Sequence, residues 1–191
     1  MDLIFATHNP NKVLEVQKQL DQSFNILALS DLDYHTEIPE PYETLEENAL
    51  EKAKTIYRAF KKICFSDDTG LFVPALNGAP GVYSARYAGP KASAAENMEK
   101  LCAAMELKQD RRAYFKTVIA LQTLEGFHFF EGMVWGTIAR EPIGTGGFGY
   151  DPIFIPQGYD QSFAMLPQKI KQEIGHRAKA IRALTSFLKT L

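Results

Sequence analysis

The sequence predicts a mixed α/β domain, and three features carry that prediction. A short apolar run, Leu3–Ala6, is followed at once by a helix-start signal at Asn9-Pro10. Two long stretches rich in β-branched and aromatic residues, 114–124 and 128–138, flank a Glu125-Gly126 turn. The chain then closes on a stripe of apolar residues at helical spacing. At 191 residues this is one domain's worth of chain, and residues 1–191 are read as a single domain.

Leu3–Ala6 reads as a buried strand. Asn9 is placed to cap a helix, and Pro10 fits the first helical turn, where its missing N–H costs nothing. Val13, Val16 and Leu20 extend that helix over about residues 10–21. Phe24–Leu29 is a second strand, and Asp31–Tyr42, with Pro39 and Pro41, a loop. Thr44-Leu45-Glu46-Glu47 has capping-box spacing, and Ala49, Ala53, Ile56 and Phe60 mark the apolar face of the helix that follows. Ile63-Cys64-Phe65 is a short strand ending at Ser66-Asp67-Asp68-Thr69-Gly70. Ala92–Met105 is a helix burying Met98, Leu101, Cys102 and Met105. After the hairpin comes a glycine loop, then a strand at Ile153-Phe154-Ile155. One final helix of about 15 residues aligns Ile174, Ala178, Ile181, Leu184 and Leu188.

Composition excludes several classes. A formal net charge of −2 lacks the strongly basic footprint of a duplex-binding protein, so no nucleic-acid partner is expected. No apolar run approaches the ~18 residues of a membrane span, and the N-terminal segment lacks a signal peptide's basic start. The expectation is a cytoplasmic protein with no membrane partner. Cys64 and Cys102 are too few for a disulfide framework or a zinc site and read as reduced thiols.

Five segments carry candidate chemistry. Gly144-Thr145-Gly146-Gly147-Phe148-Gly149-Tyr150-Asp151-Pro152 places four glycines in six residues beside two rings and a carboxylate. That combination lets backbone approach a flat, hydrogen-bonding ligand closely. Thr7-His8-Asn9-Pro10-Asn11-Lys12 joins a strand to a helix N-terminus, a natural place for phosphate, although plain N-capping by Asn9 accounts for it equally. Asp67-Asp68 suits Mg²⁺, which takes one or two carboxylates together with phosphate oxygens and water. In strand geometry the two would point oppositely, and a turn is the simpler reading of the pair. Asn48 and Lys52 share a helical face that would ordinarily be solvated, and Glu40 precedes that helix as a second acidic candidate. Lys171, His176 and Arg177 gather cationic character near a helix start, against its dipole, which suits an anionic partner.

In order and spacing these segments, together with Glu47-Asn48-Ala49, Gly78–Tyr87 and Gly175-His176-Arg177, resemble the inosine triphosphate pyrophosphatase family. That resemblance implies an elongated mixed β-sheet flanked by helices, with two lobes and a central nucleotide-binding cleft. It also implies a homodimer. The implied reaction is Mg²⁺-dependent hydrolysis of ITP, dITP and XTP to the monophosphate and pyrophosphate, so that deaminated purines stay out of DNA and RNA. By the same resemblance Asp68 binds metal and activates water, with Glu40 as a further metal ligand. Thr7, His8, Asn9, Pro10, Asn11, Lys12, Lys52 and Thr69 line the phosphate side. Phe148 stacks on the base, Gly149, Tyr150 and Asp151 complete that wall, and Lys171, His176 and Arg177 read the base edge. Three positions depart from the family pattern: Thr69 and Gly175 stand where serine is common, and Gln168-Lys169-Ile170 where acidic residues are. Two alternatives remain open, a Maf-type pyrophosphatase acting on nucleotides such as dTTP or UTP, and a non-catalytic nucleotide sensor.

Overall fold

The computed structural model describes residues 1–191. Seven strands form one mixed sheet: β1 (Asp2–Phe5), β2 (Asn25–Ala28), β3 (Cys64–Phe72), β4 (Pro80–Gly81), β5 (Arg112–Gln122), β6 (Phe127–Ile138) and β7 (Phe154–Pro156). Five helices accompany them: α1 (Pro10–Gln17), α2 (Leu45–Phe60), α3 (Ala94–Ala104), α4 (Gln168–Ile174) and α5 (His176–Leu188). The strand order is β2-β1-β3-β5-β6-β7, with β4 paired to β3. β1 runs parallel to both β2 and β3, while the β3–β4 and β6–β7 pairs are antiparallel.

The chain divides into two compact units. The first comprises Met1–Asp68, Thr117–Gly132 and Arg177–Leu191. Its strands alternate side chains between two apolar layers, as a pleated backbone requires. Leu3, Phe5, Phe65, Ile119 and Leu121 pack under α1 and α5 against Val16, Ile181, Leu184 and Leu188. Ile4, Ala6, Cys64 and Ala120 face the other way, against Ala49, Ala53 and Ile56 of α2. Two side chains of β3 also bond α2 carbonyls: the Cys64 thiol donates to Ala53 O at 3.1 Å, and the Ser66 hydroxyl donates to Ala49 O.

The second unit comprises Thr69–Lys116 and Met133–His176. Its core gathers Leu71, Leu101, Met105, Phe115, Tyr150, Ile153, Phe154 and Phe163. Ser84 is a junction there: its hydroxyl accepts Leu71 N–H at 2.8 Å and donates to Gly81 O at 2.6 Å, and its carbonyl accepts the Tyr150 hydroxyl at 2.7 Å.

Several elements differ from the sequence reading. α1 stops at Gln17, about one turn early. β3 runs nine residues to Phe72, so Asp67-Asp68 lies inside a strand and not in a turn at its end. Pairing of Leu71 and Phe72 with β4 supplies the ladder that prolongs it. The expected last helix is two, because Gly175 adopts φ −62°, ψ 150° between α4 and α5, and Ile174 belongs to the earlier one. Thr44 caps α2 by accepting Glu47 N–H, yet Glu47 takes the Thr44 hydroxyl instead of the backbone N–H, giving half a capping box. The complete box sits at Ser93 and Glu96 on α3.

Candidate active site

In the first unit the pleat decides the chemistry. Asp67 shares its face of β3 with Phe65 and points toward α1 and α5, while Asp68 follows Cys64 and Ser66 toward α2. Asp67 is fully buried and held at both oxygens: Lys12 Nζ lies 3.0 Å from Oδ1, and Arg177 Nε donates to Oδ2 at 3.0 Å. Glu15, one helical turn after Lys12, pairs with the same guanidinium. Burial favours a neutral Asp67, but Lys12 and Arg177 outweigh it and hold the carboxyl well below the usual carboxylate range. Burial likewise depresses the ammonium of Lys12, despite Asp67 beside it.

Asp68 faces a different cation. Lys52 Nζ lies 3.8 Å from Asp68 Oδ1 and forms a short ion pair with Glu40. Burial, the largest influence on Asp68, raises its pKa; Lys52 opposes this and Glu40 reinforces it. Burial works to discharge Lys52 as well, but Asp68 and Glu40 together outweigh it and raise its pKa. Asn48 and Lys52, expected on a solvated helix face, are buried at 0% and 6% exposure. The correction is physical: a Lys on the sheet-facing side of α2 is tolerated because two carboxylates meet it there.

The remaining residues of the first loop serve the backbone. Asn9 Oδ1 accepts Asn11 N–H and Lys12 N–H at 3.0 and 3.4 Å, and Thr7 Oγ1 accepts Asn9 N–H at 3.2 Å. Pro10 and Asn11 form the first turn of α1. His8 Nε2 contacts Thr36 O at 3.0 Å, and its ring stacks on Tyr34.

In the second unit a separate set forms around Asp151. Its Oδ2 accepts Phe148 N–H at 2.9 Å and the Lys171 ammonium at 2.6 Å, and the same ammonium sits 4.8 Å over the Phe148 ring. Gly147 makes this possible, since at φ +72° an added Cβ would stand 2.1 Å from that Asp151 oxygen. Gly149 follows Phe148 at φ +62°. Tyr150 is in the core, 5% exposed, with its hydroxyl on Ser84 O. His176 is buried and stacks on Phe115 at 4.7 Å. Thr69, half-buried, continues β3 directly after Asp68. Lys171, His176 and Arg177, grouped in the sequence reading, divide: the first two belong to the second unit, and Arg177 engages Asp67 and Glu15 in the first. The sequence reading overlooked Glu15 and Ser84. Glu15 was signalled by its three-residue spacing from Lys12; Ser84 lies in the Gly78–Tyr87 segment, but its role was not readable there, because its partners come from remote segments.

The residues at Asp68 suit a divalent cation. Two carboxylates, Asp68 and Glu40, converge on one ammonium, while no group of three or more His, Cys, Asp or Glu side chains forms a closed cage. That is the donor set of Mg²⁺, which completes its shell with phosphate oxygens and water.

The model of the Ham1 family matches residues 3–187. This chain belongs to the Ham1 family. A Ham1 relative from Flavobacterium psychrophilum, named dITP/XTP pyrophosphatase, is 48% identical over 189 residues, covering 99% of this chain and 100% of that protein. The solved Ham1 protein of Staphylococcus aureus superposes with a TM-score of 0.90 at 37% identity, covering 100% of this chain and 99% of that one. The HAM1 protein of Coxiella burnetii gives 0.91 at 36% identity, covering both chains fully. The α/β fold, a mixed sheet flanked by helices, is therefore that of the solved Ham1 structures.

Proposed function

We infer that this chain is a nucleoside triphosphate pyrophosphatase that hydrolyses the deaminated purine nucleotides ITP, dITP and XTP to the monophosphate and pyrophosphate. End-to-end identity of nearly half with a dITP/XTP pyrophosphatase carries the reading. Residues 1–191 act in it as one catalytic domain. Removal of these nucleotides keeps them out of DNA and RNA.

The roles follow from the two charge sets. In the first unit, Lys12 and Lys52 neutralise triphosphate oxygens, with Thr7, His8, Asn9, Pro10 and Asn11 shaping the loop at the start of α1; Thr69 follows Asp68 in the chain as the first residue of the second unit. Asp68 and Glu40 would hold Mg²⁺, which supplies charge neutralisation at phosphate oxygens and acidifies its water. Asp68 takes the proton of the attacking water; the water oxygen bonds phosphorus as the α–β anhydride bridge breaks and pyrophosphate leaves. In the second unit, Phe148 stacks on the base beside Gly149, and Asp151 with Lys171 meets its polar edge. His176 completes base recognition in this unit through donors that favour a 6-oxo group, while Arg177, in the first unit, holds Asp67 and Glu15. A 6-amino group would set donor against donor, a mismatch worth on the order of 10⁴ where a site is built for hydrogen bonding. Tyr150 supports this loop from the core through its bond to Ser84 O.

Two further features complete the proposal. The protein works as a homodimer, supported by the exposed side chains of Phe127, Phe129, Met133 and Trp135 on β6. It works in the cytoplasm on the free nucleotide pool; no helix is long and apolar enough to cross a membrane.

The test is pyrophosphate release from ITP, dITP, XTP, ATP, GTP, dTTP and UTP, with Mg²⁺ and with EDTA. Selective, EDTA-sensitive turnover of the first three is expected. Preference for pyrimidines would move the chain to Maf-type chemistry, and ITP binding without turnover would make it a sensor.

A further inference from the structure

Glu40 lies in a stretch, residues 34–44, that has no helix or strand of its own. Such a segment has no backbone ladder to fix it, so its placement depends on side chains reaching it from elsewhere. Besides the rings on Tyr34 and the Glu40–Lys52 pair, three contacts do so. His8 Nε2 meets Thr36 O at 3.0 Å, and Ile38 is buried in the apolar layer beneath α2. The third is a two-point clamp: Asn48 Nδ2 donates to Tyr42 O at 3.1 Å, and Asn48 Oδ1 accepts Tyr42 N–H at 3.0 Å.

Asn48 is wholly buried on α2, one turn before Lys52, the partner of Glu40 and Asp68. The clamp therefore joins the helix that carries the lysine to the loop that carries the acid. Glu40 sits midway between Ile38 and Tyr42, two residues from either anchor. An amide is the side chain that suits the clamp, because only Asn and Gln offer a donor and an acceptor side by side. Gln would reach one methylene too far from a buried helix position. Asp could accept Tyr42 N–H but would set a carboxylate against Tyr42 O.

We propose that Asn48 is a positioning residue that fixes Glu40 beside Lys52 and Asp68, and so sets the affinity of this site for its divalent cation. The inference rests on the reading of Glu40 as a metal ligand. Asn48 touches neither nucleotide nor metal; its effect passes through the backbone of Tyr42.

The experiment measures Mn²⁺ binding by electron paramagnetic resonance, with a non-hydrolysable imido analogue of ITP present. Wild type, Glu40→Gln, Asn48→Ala and the double variant are compared, and circular dichroism checks the fold of each. Glu40→Gln and Asn48→Ala should each weaken Mn²⁺ binding roughly tenfold, the loss typical of disturbing a ligand's support. The double variant should be no weaker than Glu40→Gln alone. Multiplying losses, or an Asn48→Ala protein with wild-type Mn²⁺ affinity, would overturn the proposal. If Glu40→Gln itself binds Mn²⁺ normally, the metal role of Glu40 fails first and the positioning role falls with it. Should Asn48→Ala not fold, hydrogen exchange on the wild type decides. The Tyr42 amide should be protected as well as the α2 amides, and exchange as fast as an open loop would sink the clamp.

Discussion

Asp67 and Asp68 are neighbours in the chain with opposite expected phenotypes. Asp67 is the counter-charge of two buried cations, Lys12 and Arg177. Its replacement by Asn leaves both without that partner, and breaking a buried pair from one side costs about 3–5 kcal/mol. Asp67→Asn should therefore lower the melting temperature steeply. Asp68 instead sits where burial and Glu40 already disfavour its charge. Asp68→Asn should lose less melting temperature than Asp67→Asn, because Lys52 keeps Glu40, while turnover falls on the order of 10²–10⁴, the share a general base supplies. Paired thermal melts and pyrophosphate-release assays separate the two, and an active Asp68→Asn would remove that residue from catalysis. The sequence offered this division only on condition of strand geometry, with a turn as the simpler reading, and β3 continuing through both carboxylates meets that condition. At the second site, Phe148→Ala should raise KM for dITP about tenfold or more, since base stacking is worth about 1–3 kcal/mol. An unchanged KM would argue that the ring does not meet the base.

Elements were legible where the signal was local. The start of α1 was written in Asn9-Pro10, and the β5–β6 hairpin in its runs of β-branched and aromatic residues around Glu125-Gly126. They were illegible where tertiary contact extended or cut them. β3 gained its last residues from pairing with β4, and the closing helix was cut at Gly175, which periodicity passes over. The half-box at Thr44 shows the same limit: spacing predicts the partners, whereas the rotamer of Glu47 decides which donor it takes. Gly175 also yields a prediction at this scale. A Cβ there would stand 2.4 Å from Lys171 O, a backbone atom in the last turn of α4. Gly175→Ser, which restores the residue common in the resembled family, must move that turn and with it Lys171. The expected result is a KM for dITP several-fold higher, with kcat nearly unchanged because Asp68 lies in the other unit. A comparable fall in kcat would show that the break between α4 and α5 serves the chemical step as well.

At the scale of the whole molecule, the question is what covers β6. Of its outward positions Glu131 and Thr137 are polar, whereas Phe127, Phe129, Met133 and Trp135 stand out at 47%, 39%, 37% and 42% exposure. Alternation explains why they emerge, since Val134 and Ile138 of the same strand are buried. It does not explain why they are apolar: a solvated sheet face is ordinarily polar, and an apolar row on one strand marks an interaction surface. A second copy is the occupant that needs no other gene product, because a two-fold interface uses the same patch on both chains. Sedimentation velocity should then give about twice the 21.4 kDa chain mass at micromolar concentration. Phe129→Glu with Trp135→Glu should shift it to the monomer, because charges facing their own copies across a two-fold are both repelled and desolvated. Neither residue belongs to the sets around Asp68 or Asp151, so the monomeric variant should retain nucleotide hydrolysis unless assembly itself is required. A dimer that survives both substitutions would place the interface elsewhere. A wild-type monomer would leave the β6 face to a different partner while the assignment of the reaction stands on its own assay.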